Sequence, residues 1–405
     1  MYIRAYPCSS VVKILILAKQ FYIFFAMEIP LLDLKGQYNL IREEIREALA
    51  RLYERQEFIL GVEVEGFERE LANYIKVDYA TGVASGSDAL LIALMVLGIE
   101  RGDDVVTTPY TFFATAGAIW RVGARPVFVD IEPETYNINP QLIKRAITSR
   151  TKAILPVHLF GLCANMRDIN HIAQQYGLKV IEDAAQALGS QYLFDPTSPD
   201  TFKYAGTMGD MGCFSFFPSK NLGGFGDGGM LVTHNQRFAY SARCLRVHGS
   251  NSKYYHAMVG INSRLDALQA VVLRIKLKYL DNWTRKRREN ARFYNQALKN
   301  IGDLILPCPD RENNHIYNQY ILRTQERDGL RRYLTEKKIG TAIYYPLPLH
   351  LQGCFKDLGY REGSFPEAEQ AARETLALPI YPELTLEQKE YIVSTIKEYF
   401  NNKSP

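Results

Sequence analysis

From residue 27 onward, short runs of β-branched and other apolar residues alternate with longer segments whose apolar positions recur at helical spacing. This alternation is typical of a mainly parallel β-sheet between helices. The predicted strands are residues 80–84, 104–108, 125–130, 153–157, 179–183, 213–217 and 230–233. The helices predicted between them are residues 88–97, 114–122, 140–147 and 166–176. The pattern therefore predicts an α/β fold around a seven-stranded sheet.

The pattern changes after about residue 255. A long amphipathic helix rich in Leu, Lys and Arg is predicted over 263–297, and shorter strand-like and helix-like pieces follow it to residue 403. We expect a large domain over 27–260, and a linking helix with a small α+β domain over 261–405. The segment 193–206, rich in Pro, Asp and Thr, is predicted to be a surface loop.

Residues 1–26 are apolar and slightly basic and precede a second methionine, Met27. A membrane-spanning helix needs about 20 largely uninterrupted apolar residues, and Lys13 and Lys19 interrupt this run. A signal peptide is a further possibility, although the chain that follows lacks secreted character. We favour an upstream start site or a loosely attached extension, and we expect residues 1–26 to lie outside the fold.

The composition is that of an ordinary globular protein, with 47% hydrophobic and 23% charged residues among 405. The net charge of +4 is small, and no Lys/Arg stripe indicates a nucleic-acid partner. The cysteines are scattered singly without metal-ligand spacing, which favours a metal-free protein in a reducing cytoplasm. No stable membrane association is expected. They are Cys8, Cys163, Cys213, Cys244, Cys308 and Cys354.

Lys220 stands in the segment CFSFFPSKNLGGFGDGG, where an apolar strand enters a Pro-Ser-Lys turn followed by five glycines in seven residues. Such a loop can bring backbone close to a bound group. Schiff-base chemistry needs a lysine of this kind, because partial desolvation lowers the amine pKa and keeps a nucleophilic neutral fraction. On this segment alone, a surface lysine in a turn is an equal alternative.

The apolar strand in VIEDAAQALG ends in two acids, Glu182 and Asp183. Ligands bind at the carboxyl ends of strands in α/β sheets. Pyridoxal chemistry requires a carboxylate that keeps the ring nitrogen protonated, so that the ring can withdraw electrons. Asp183 is the candidate, and a helix N-cap is the alternative interpretation.

The segment VASGSDALLIAL places Gly86 and Ser87 between a strand and an apolar helix. Free backbone N–H groups and the positive end of the helix dipole suit a phosphate there, and the hydroxyls of Ser87 and Ser215 can complete the site. Simple helix capping is the alternative. A dinucleotide-binding turn at residues 224–229 is excluded because that glycine run leads into a strand rather than opening a helix.

In this order the segments resemble the DegT/StrS family of pyridoxal-phosphate-dependent nucleotide-sugar aminotransferases, of fold type I. The resemblance covers nearly everything from Met27 to the C-terminus. Further landmarks are IPLLDLKGQY, TTPYTFFATAGAI, PVHLFG, VHGSNSKYYHAMVGINSRLDALQA and IYYPLPLHLQ. The resemblance implies the cofactor pyridoxal 5′-phosphate and a homodimer with shared active sites.

The resemblance also implies roles for single residues. Lys220 would carry the cofactor covalently and later move a proton, and Asp183 would pair with the pyridine nitrogen. Phe112 would stack on the ring, and Gln186 would bind near its phenolic oxygen. Taken alone, Phe112 is equally a core residue and Gln186 a helix cap.

For the cofactor phosphate, the resemblance implies contacts from Gly86, Ser87 and Ser215. Asn262 would reach the phosphate in the neighbouring subunit, although a turn residue is its simpler interpretation. The family's order of motifs, rather than any one residue, favours the functional interpretation.

The implied reaction moves an amino group from L-glutamate to a nucleotide-linked keto-sugar in two stages. The segments GSNSKYYHAMVG and YYPLPLHLQ resemble those of enzymes acting on 3-keto more than 4-keto sugars. Tyr345, His350 and His248 are candidate sugar-side residues, and a structural role is as well supported for the histidines. The alternative function is a non-catalytic regulatory or sensor protein, which would be expected to lack the lysine or the aspartate.

Overall fold

The computed structural model describes residues 27–195, 197–198, 201–307 and 313–402. The prediction for residues 1–26 lies outside these ranges. The strands are β1 (Tyr79–Val83), β2 (Asp104–Thr107), β3 (Arg125–Phe128), β4 (Thr151–Ile154), β5 (Lys179–Asp183), β6 (Gln191–Leu193), β7 (Phe202–Tyr204), β8 (Met211–Ser215), β9 (Gly229–Thr233), β10 (Ser250–Ser252), β11 (Tyr255–His256), β12 (Asn313–Asn314), β13 (Tyr320–Arg323) and β14 (Thr375–Leu378).

The helices alternate with these strands through the first half of the chain and dominate the second half. They are α1 (Leu34–Arg55), α2 (Gly61–Ile75), α3 (Gly86–Val96), α4 (Ala114–Arg121), α5 (Pro140–Ala146), α6 (Met166–Tyr176), α7 (Gln236–Leu245), α8 (Ala267–Leu277), α9 (Leu280–Ala297), α10 (Arg327–Glu336), α11 (Pro366–Glu374) and α12 (Leu386–Asn401). Short 3₁₀ helices span Leu159–Gly161, Leu349–Leu351 and Gly353–Leu358. No helix in the described ranges has both the length and the apolar character needed to cross a membrane.

The main sheet has seven strands in the order β1-β9-β8-β5-β4-β2-β3, which confirms the predicted α/β fold. β9 pairs antiparallel with both β1 and β8, and the remaining pairs are parallel. Parallel neighbours need a long crossover, usually a helix. The connection from β8 to β9 contains a glycine-rich loop and no helix, so β9 returns in the opposite direction.

Helices cover both faces of this sheet. Buried side chains of α1, α2, α6 and α8 belong to one hydrophobic core. Those of α3, α4 and α7 belong to a second core on the other face. Three strands of the same direction, β1, β5 and β8, end at one edge of the sheet, at Val83, Asp183 and Ser215. This edge is where an α/β sheet binds ligands.

The C-terminal part forms its own core around the antiparallel pair β13–β14 and helices α9, α10 and α12. Ile29 belongs to this core although it precedes the large sheet in sequence, and it forms a parallel bridge with Ile339. α8 packs in a core of the large sheet. The predicted division at residue 260 stays a prediction.

The helix predicted over 263–297 is wrong as a single element. It begins only at Ala267 and is divided into α8 and α9, with Lys278 and Tyr279 between them. The boundary between the two cores lies within α9: α8 packs with α1 and α2, and Leu280 and Trp283 at the start of α9 belong to the same core. Ala291 and Tyr294, further along α9, pack in the C-terminal core. The Tyr279 ring stacks on Trp283 at 5.9 Å between centroids, and its hydroxyl donates to Glu44.

The segment 193–206, predicted as a loop, includes the end of β6 and the strand β7. These two strands pair antiparallel, and β12 from the C-terminal part pairs with the other edge of β6. Residues 196, 199 and 200 of this segment lie outside the described ranges. The backbone of β6 thus gains a pairing partner about 120 residues away in sequence, which no local pattern reveals.

Candidate active site

Asp183 lies at the carboxyl end of the central strand β5 and is 5% exposed. Its Oδ2 accepts a hydrogen bond from Thr115 Oγ1 at 2.8 Å, and its Oδ1 accepts from the Ala185 N–H at 3.2 Å. Burial raises the pKa of this carboxyl, and the two hydrogen bonds and the charge of Lys220 act in the opposite direction. No described lysine or arginine forms an ion pair with Asp183. A cation placed beside the carboxyl would favour its ionised form, because opposite charges attract.

Lys220 lies in the turn after β8 and is half-buried. Burial lowers the pKa of its amine to about 8, and the charge of Asp183 offsets part of that change. Lys220 and Asp183 are thus close enough for each to affect the pKa of the other. Among the described residues, none forms a hydrogen bond or an ion pair with the Lys220 amine. The lysine therefore has the lowered pKa that a neutral nucleophile at neutral pH requires.

The predicted phosphate site lies at the start of α3, where the Ser85 side chain caps the helix by accepting from the Asp88 N–H at 3.1 Å. A Cβ built on Gly86 would stand 2.6 Å from Ser215 Cβ, and one built on Gly229 would stand 2.3 Å from the Ser85 oxygen. Only glycine fits at these two positions, so β8 and β9 approach the helix start closely. The predicted Gly86 and Ser215 form this close contact, and Ser87 is the next residue along the helix.

Gln186 is buried, and its amide links two segments of the site. Its Oε1 accepts from the Phe160 N–H at 2.7 Å, and its Nε2 donates to the Tyr345 hydroxyl at 3.0 Å. Phe112 is 57% exposed and lies 6.2 Å from Tyr345 between ring centroids. Phe112 is therefore not a core residue, and its exposed face is free to contact a ligand.

These residues fit pyridoxal phosphate. The buried Asp183 carboxyl lacks a bonded cation and suits a protonated ring nitrogen, and Lys220 suits a covalent attachment. The start of α3, with the positive end of its helix dipole, suits the phosphate. The ring would lie between them, beside Phe112.

Two supporting interactions were not predicted from the sequence. Thr115 holds Asp183, and it stands three residues after Phe112 at the start of α4. His158 is fully buried, and its backbone N–H donates to the Asp183 oxygen at 3.0 Å. Its Nδ1 accepts from the Ala164 N–H at 3.0 Å, and its Nε2 bonds Glu182 at 2.7 Å. Both residues lie in segments that resemble family landmarks, but only the pairing of residue 157 with Asp183 brings His158 to the site.

The remaining predicted residues lie elsewhere. Asn262 is exposed and forms a backbone bridge with Val247. His248 is exposed at a positive φ of 62°, and its carbonyl accepts from His256 Nδ1. His350 is 2% exposed, bonds Glu369 at 3.0 Å and packs against Phe365. The structure brings none of the three into contact with Asp183 or Lys220 within one chain.

Among the described cysteines, those at positions 213, 244 and 354 form no disulfide, and Cys163 Sγ donates to Ser190 Oγ at 3.4 Å. Nowhere in the described ranges do His, Cys, Asp and Glu side chains form a group that could hold a metal ion.

The model of the DegT/DnrJ/EryC1/StrS aminotransferase family matches residues 39–397. A "Pleiotropic regulatory protein" of Geobacillus stearothermophilus is 47% identical over 378 residues, which cover 93% of this chain and 100% of that protein. The UDP-N-acetyl-3-dehydro-alpha-D-glucosamine 3-aminotransferase of Acidithiobacillus ferrooxidans is 42% identical over 369 residues, 91% of this chain and 97% of that protein. A crystal structure of S. venezuelae DesV in complex with a ketimine intermediate matches with a TM-score of 0.88 and 40% identity, over 92% of this chain and 98% of that chain.

Proposed function

Because this chain belongs to the DegT/DnrJ/EryC1/StrS aminotransferase family, we propose that it transfers an amino group from L-glutamate to a nucleotide-linked 3-keto sugar. Membership makes it a sugar aminotransferase that uses pyridoxal phosphate. The amino donor, the ring position, the residue roles, the dimer and the cytoplasmic location are our proposals. The observation that carries the proposal is that Lys220, with its lowered pKa, lies close enough to the buried Asp183 for each charge to affect the pKa of the other.

The bound cofactor supplies an electron-withdrawing ring that makes it possible to move an amino group between carbons. Asp183 holds the ring nitrogen protonated, because an ionised carboxyl in a buried site is stable only beside a cation. Thr115 and the Ala185 N–H orient that carboxylate by bonding one oxygen each.

Lys220 has two proposed tasks. Its amine would hold the cofactor, and as a free amine it would move a proton at the carbon that carries the transferred nitrogen. A pKa of about 8 suits both tasks, since the amine can give and accept a proton near neutral pH. Gln186 and Tyr345 support the ring's oxygen side, where burial raises the pKa of the Tyr345 hydroxyl and keeps it neutral.

The choice of a 3-keto sugar rests on the sugar-side segments and on the 3-dehydro substrate named for the 42% identical relative. The proposed homodimer explains why Asn262 is exposed in one chain, since its partner would be the neighbouring subunit's cofactor phosphate. The name of the 47% identical relative favours regulation as a second candidate. Retention of Lys220 and Asp183 favours the enzyme.

An absorbance spectrum of the purified protein with pyridoxal phosphate tests the proposal. We expect a yellow band from cofactor bound to Lys220, its loss in Lys220→Ala, and its conversion by L-glutamate into the pyridoxamine phosphate band. The first half-reaction of Lys220→Ala should be slower by roughly 10²–10⁴-fold, the range of acid–base catalysis. Lys278→Ala, at a 63% exposed side chain, is the control and should behave as wild type.

The second stage tests the sugar. A 3-keto nucleotide sugar should restore the yellow band faster than a 4-keto one, and the reverse order would overturn the ring position alone. A wild-type protein that stays colourless with added cofactor would contradict the enzyme and support the regulatory alternative.

A further inference from the structure

A backbone hydrogen bond between Phe216 and Gly224 closes the turn that contains Lys220. The Gly224 N–H donates to the Phe216 oxygen at 2.8 Å, and within the turn the Lys220 N–H donates to the Phe217 oxygen at 2.9 Å. A Cβ built on Gly223 would stand 2.3 Å from the Pro218 oxygen, so the two sides of the turn touch there. The position of the Lys220 backbone therefore depends on what holds Gly223 and Gly224.

Two side chains of α8 hold this part of the loop. Lys276 Nζ donates to the Gly223 oxygen at 2.6 Å, and Gln269 Oε1 accepts from the Phe225 N–H at 2.7 Å. A Cβ built on Gly224 would stand 2.7 Å from Gln269 Oε1, so this glycine lets the amide approach the backbone. Lys276 Nζ also lies 5.3 Å from the centre of the Phe225 ring, within cation–π distance.

Lys276 is an unusual residue for this place. It is 3% exposed, and in the described ranges no carboxylate lies within ion-pair distance of its amine. Burying a cation without a paired anion is costly, and an apolar side chain would fill the space without that cost. Burial lowers the pKa of Lys276 to about 8, and the charge of Glu383 partly offsets this. The Lys276 amine forms a charge-assisted hydrogen bond to the Gly223 oxygen, which an apolar side chain could not form.

We propose that Lys276, together with Gln269, is a positioning residue for Lys220. From α8, the two side chains form a clamp on residues 223–225 that sets where the Lys220 amine lies relative to Asp183. Lys276 contacts neither Lys220 nor Asp183 and acts through the loop. The link to catalysis rests on the function proposed above, whereas the clamp itself concerns only this chain's own contacts.

The test compares Lys276→Met, Lys276→Arg and the control Lys278→Met. Lys278 is two residues further along, is exposed and pairs with Glu44. Amide hydrogen exchange of peptides covering 217–227 is measured in the protein without added cofactor. The single-turnover rate with L-glutamate and the glutamate concentration for half-maximal rate are measured in the holoenzyme.

In Lys276→Met we expect faster exchange of the loop amides, because the Gly223 contact is lost. The holoenzyme rate should fall by roughly tenfold or more, since a small displacement of a reacting group is costly. The glutamate concentration for half-maximal rate should stay within about twofold, because binding is not the step affected. Lys276→Arg, which keeps a charged donor, should recover most of the rate, and Lys278→Met should match wild type.

Three results would overturn the clamp: unchanged loop exchange in Lys276→Met, an arginine variant as slow as the methionine variant, or a rate loss that only follows the fraction of unfolded protein. If Lys276→Met does not fold, Gln269→Leu replaces it, and wild-type exchange and rate in that variant are the overturning result. If the wild-type protein binds no cofactor, the proposed function is wrong. The hydrogen-exchange test of the clamp still stands, because it is made without added cofactor.

Discussion

At the scale of single residues, one cause acts on both members of the candidate pair. Burial disfavours charge, so it lowers the pKa of Lys220 and raises the pKa of Asp183. Each group is shifted toward its neutral form, and the interaction between them opposes both shifts. With pyridoxal phosphate bound, Asp183 would have a cation beside it in the protonated ring nitrogen, and the neutral amine of Lys220 would hold the cofactor.

The pH dependence of cofactor binding follows from the Lys220 pKa. The neutral amine is the nucleophile, so a pKa of about 8 instead of 10.5 leaves about a tenth of the amine neutral at pH 7. In protein freed of cofactor, the association rate of pyridoxal phosphate should rise with pH, with a midpoint near pH 8, and level off about one pH unit above it. Stopped-flow absorbance between pH 6 and pH 11 measures the midpoint, and a midpoint near 10.5 would contradict the desolvated lysine.

At the scale of elements, β1 lies at one end of the main sheet and would expose unpaired backbone groups on its outer side. A buried ion pair covers this edge. Glu68 of α2 accepts from the Gly82 N–H at 2.8 Å, and Arg246, just after α7, donates to the Gly82 oxygen at 2.8 Å. Arg246 also donates to Glu68, so the two helices flanking the strand meet over its free edge.

Breaking this pair should be costly. Arg246→Met leaves Glu68 buried without its cation and the Gly82 carbonyl without its donor, which should lower the free energy of unfolding by about 3–5 kcal/mol. The exposed pair of Arg285 and Glu289 on α9 serves as the control, and Arg285→Met should cost at most about 0.5 kcal/mol. Denaturant unfolding measures both. Equal costs would mean that the edge pair contributes no more than a surface pair.

At the scale of the whole molecule, the chain's first described residues join the part of the protein that is last in sequence. Ile29 is fully buried in the C-terminal core, its N–H donates to the Lys338 oxygen, and its oxygen accepts from the Gly340 N–H. The segment before the large sheet in sequence and the part after it thus share one core. This arrangement couples the unfolding of the C-terminal part to the N-terminal segment.

Ile29→Ala should therefore act on the distant C-terminal core. The expected loss is about 2–5 kcal/mol in the free energy of unfolding, the cost of truncating a buried aliphatic side chain. A protein that starts at Met27 should unfold like the full chain, because residues 1–26 are expected to lie outside the fold. Thermal unfolding of the three proteins provides the check. An Ile29→Ala variant as stable as wild type would show that this contact is dispensable, and a less stable shortened protein would show that residues 1–26 contribute.

The sequence by itself determined the seven-stranded α/β sheet and indicated Lys220, Asp183 and Gly86, because each depends on a local pattern. A strand is visible as an apolar run, and a strand end or helix start is marked by the residues next to it. The parallel sheet then brings such ends to one edge without further information.

Only the tertiary structure decided which remote side chains support that edge. Lys276 reaches Gly223 across 53 positions, and Arg246 reaches Glu68 across 178. The same packing buries His350 against Phe365 and divides the predicted long helix between two cores. These contacts depend on how whole helices lie against the sheet, and their energies come from burial and from polar groups that must find partners once water is excluded. No periodicity of the sequence predicts these contacts, because the partners are distant in sequence and become neighbours only when the hydrophobic cores form.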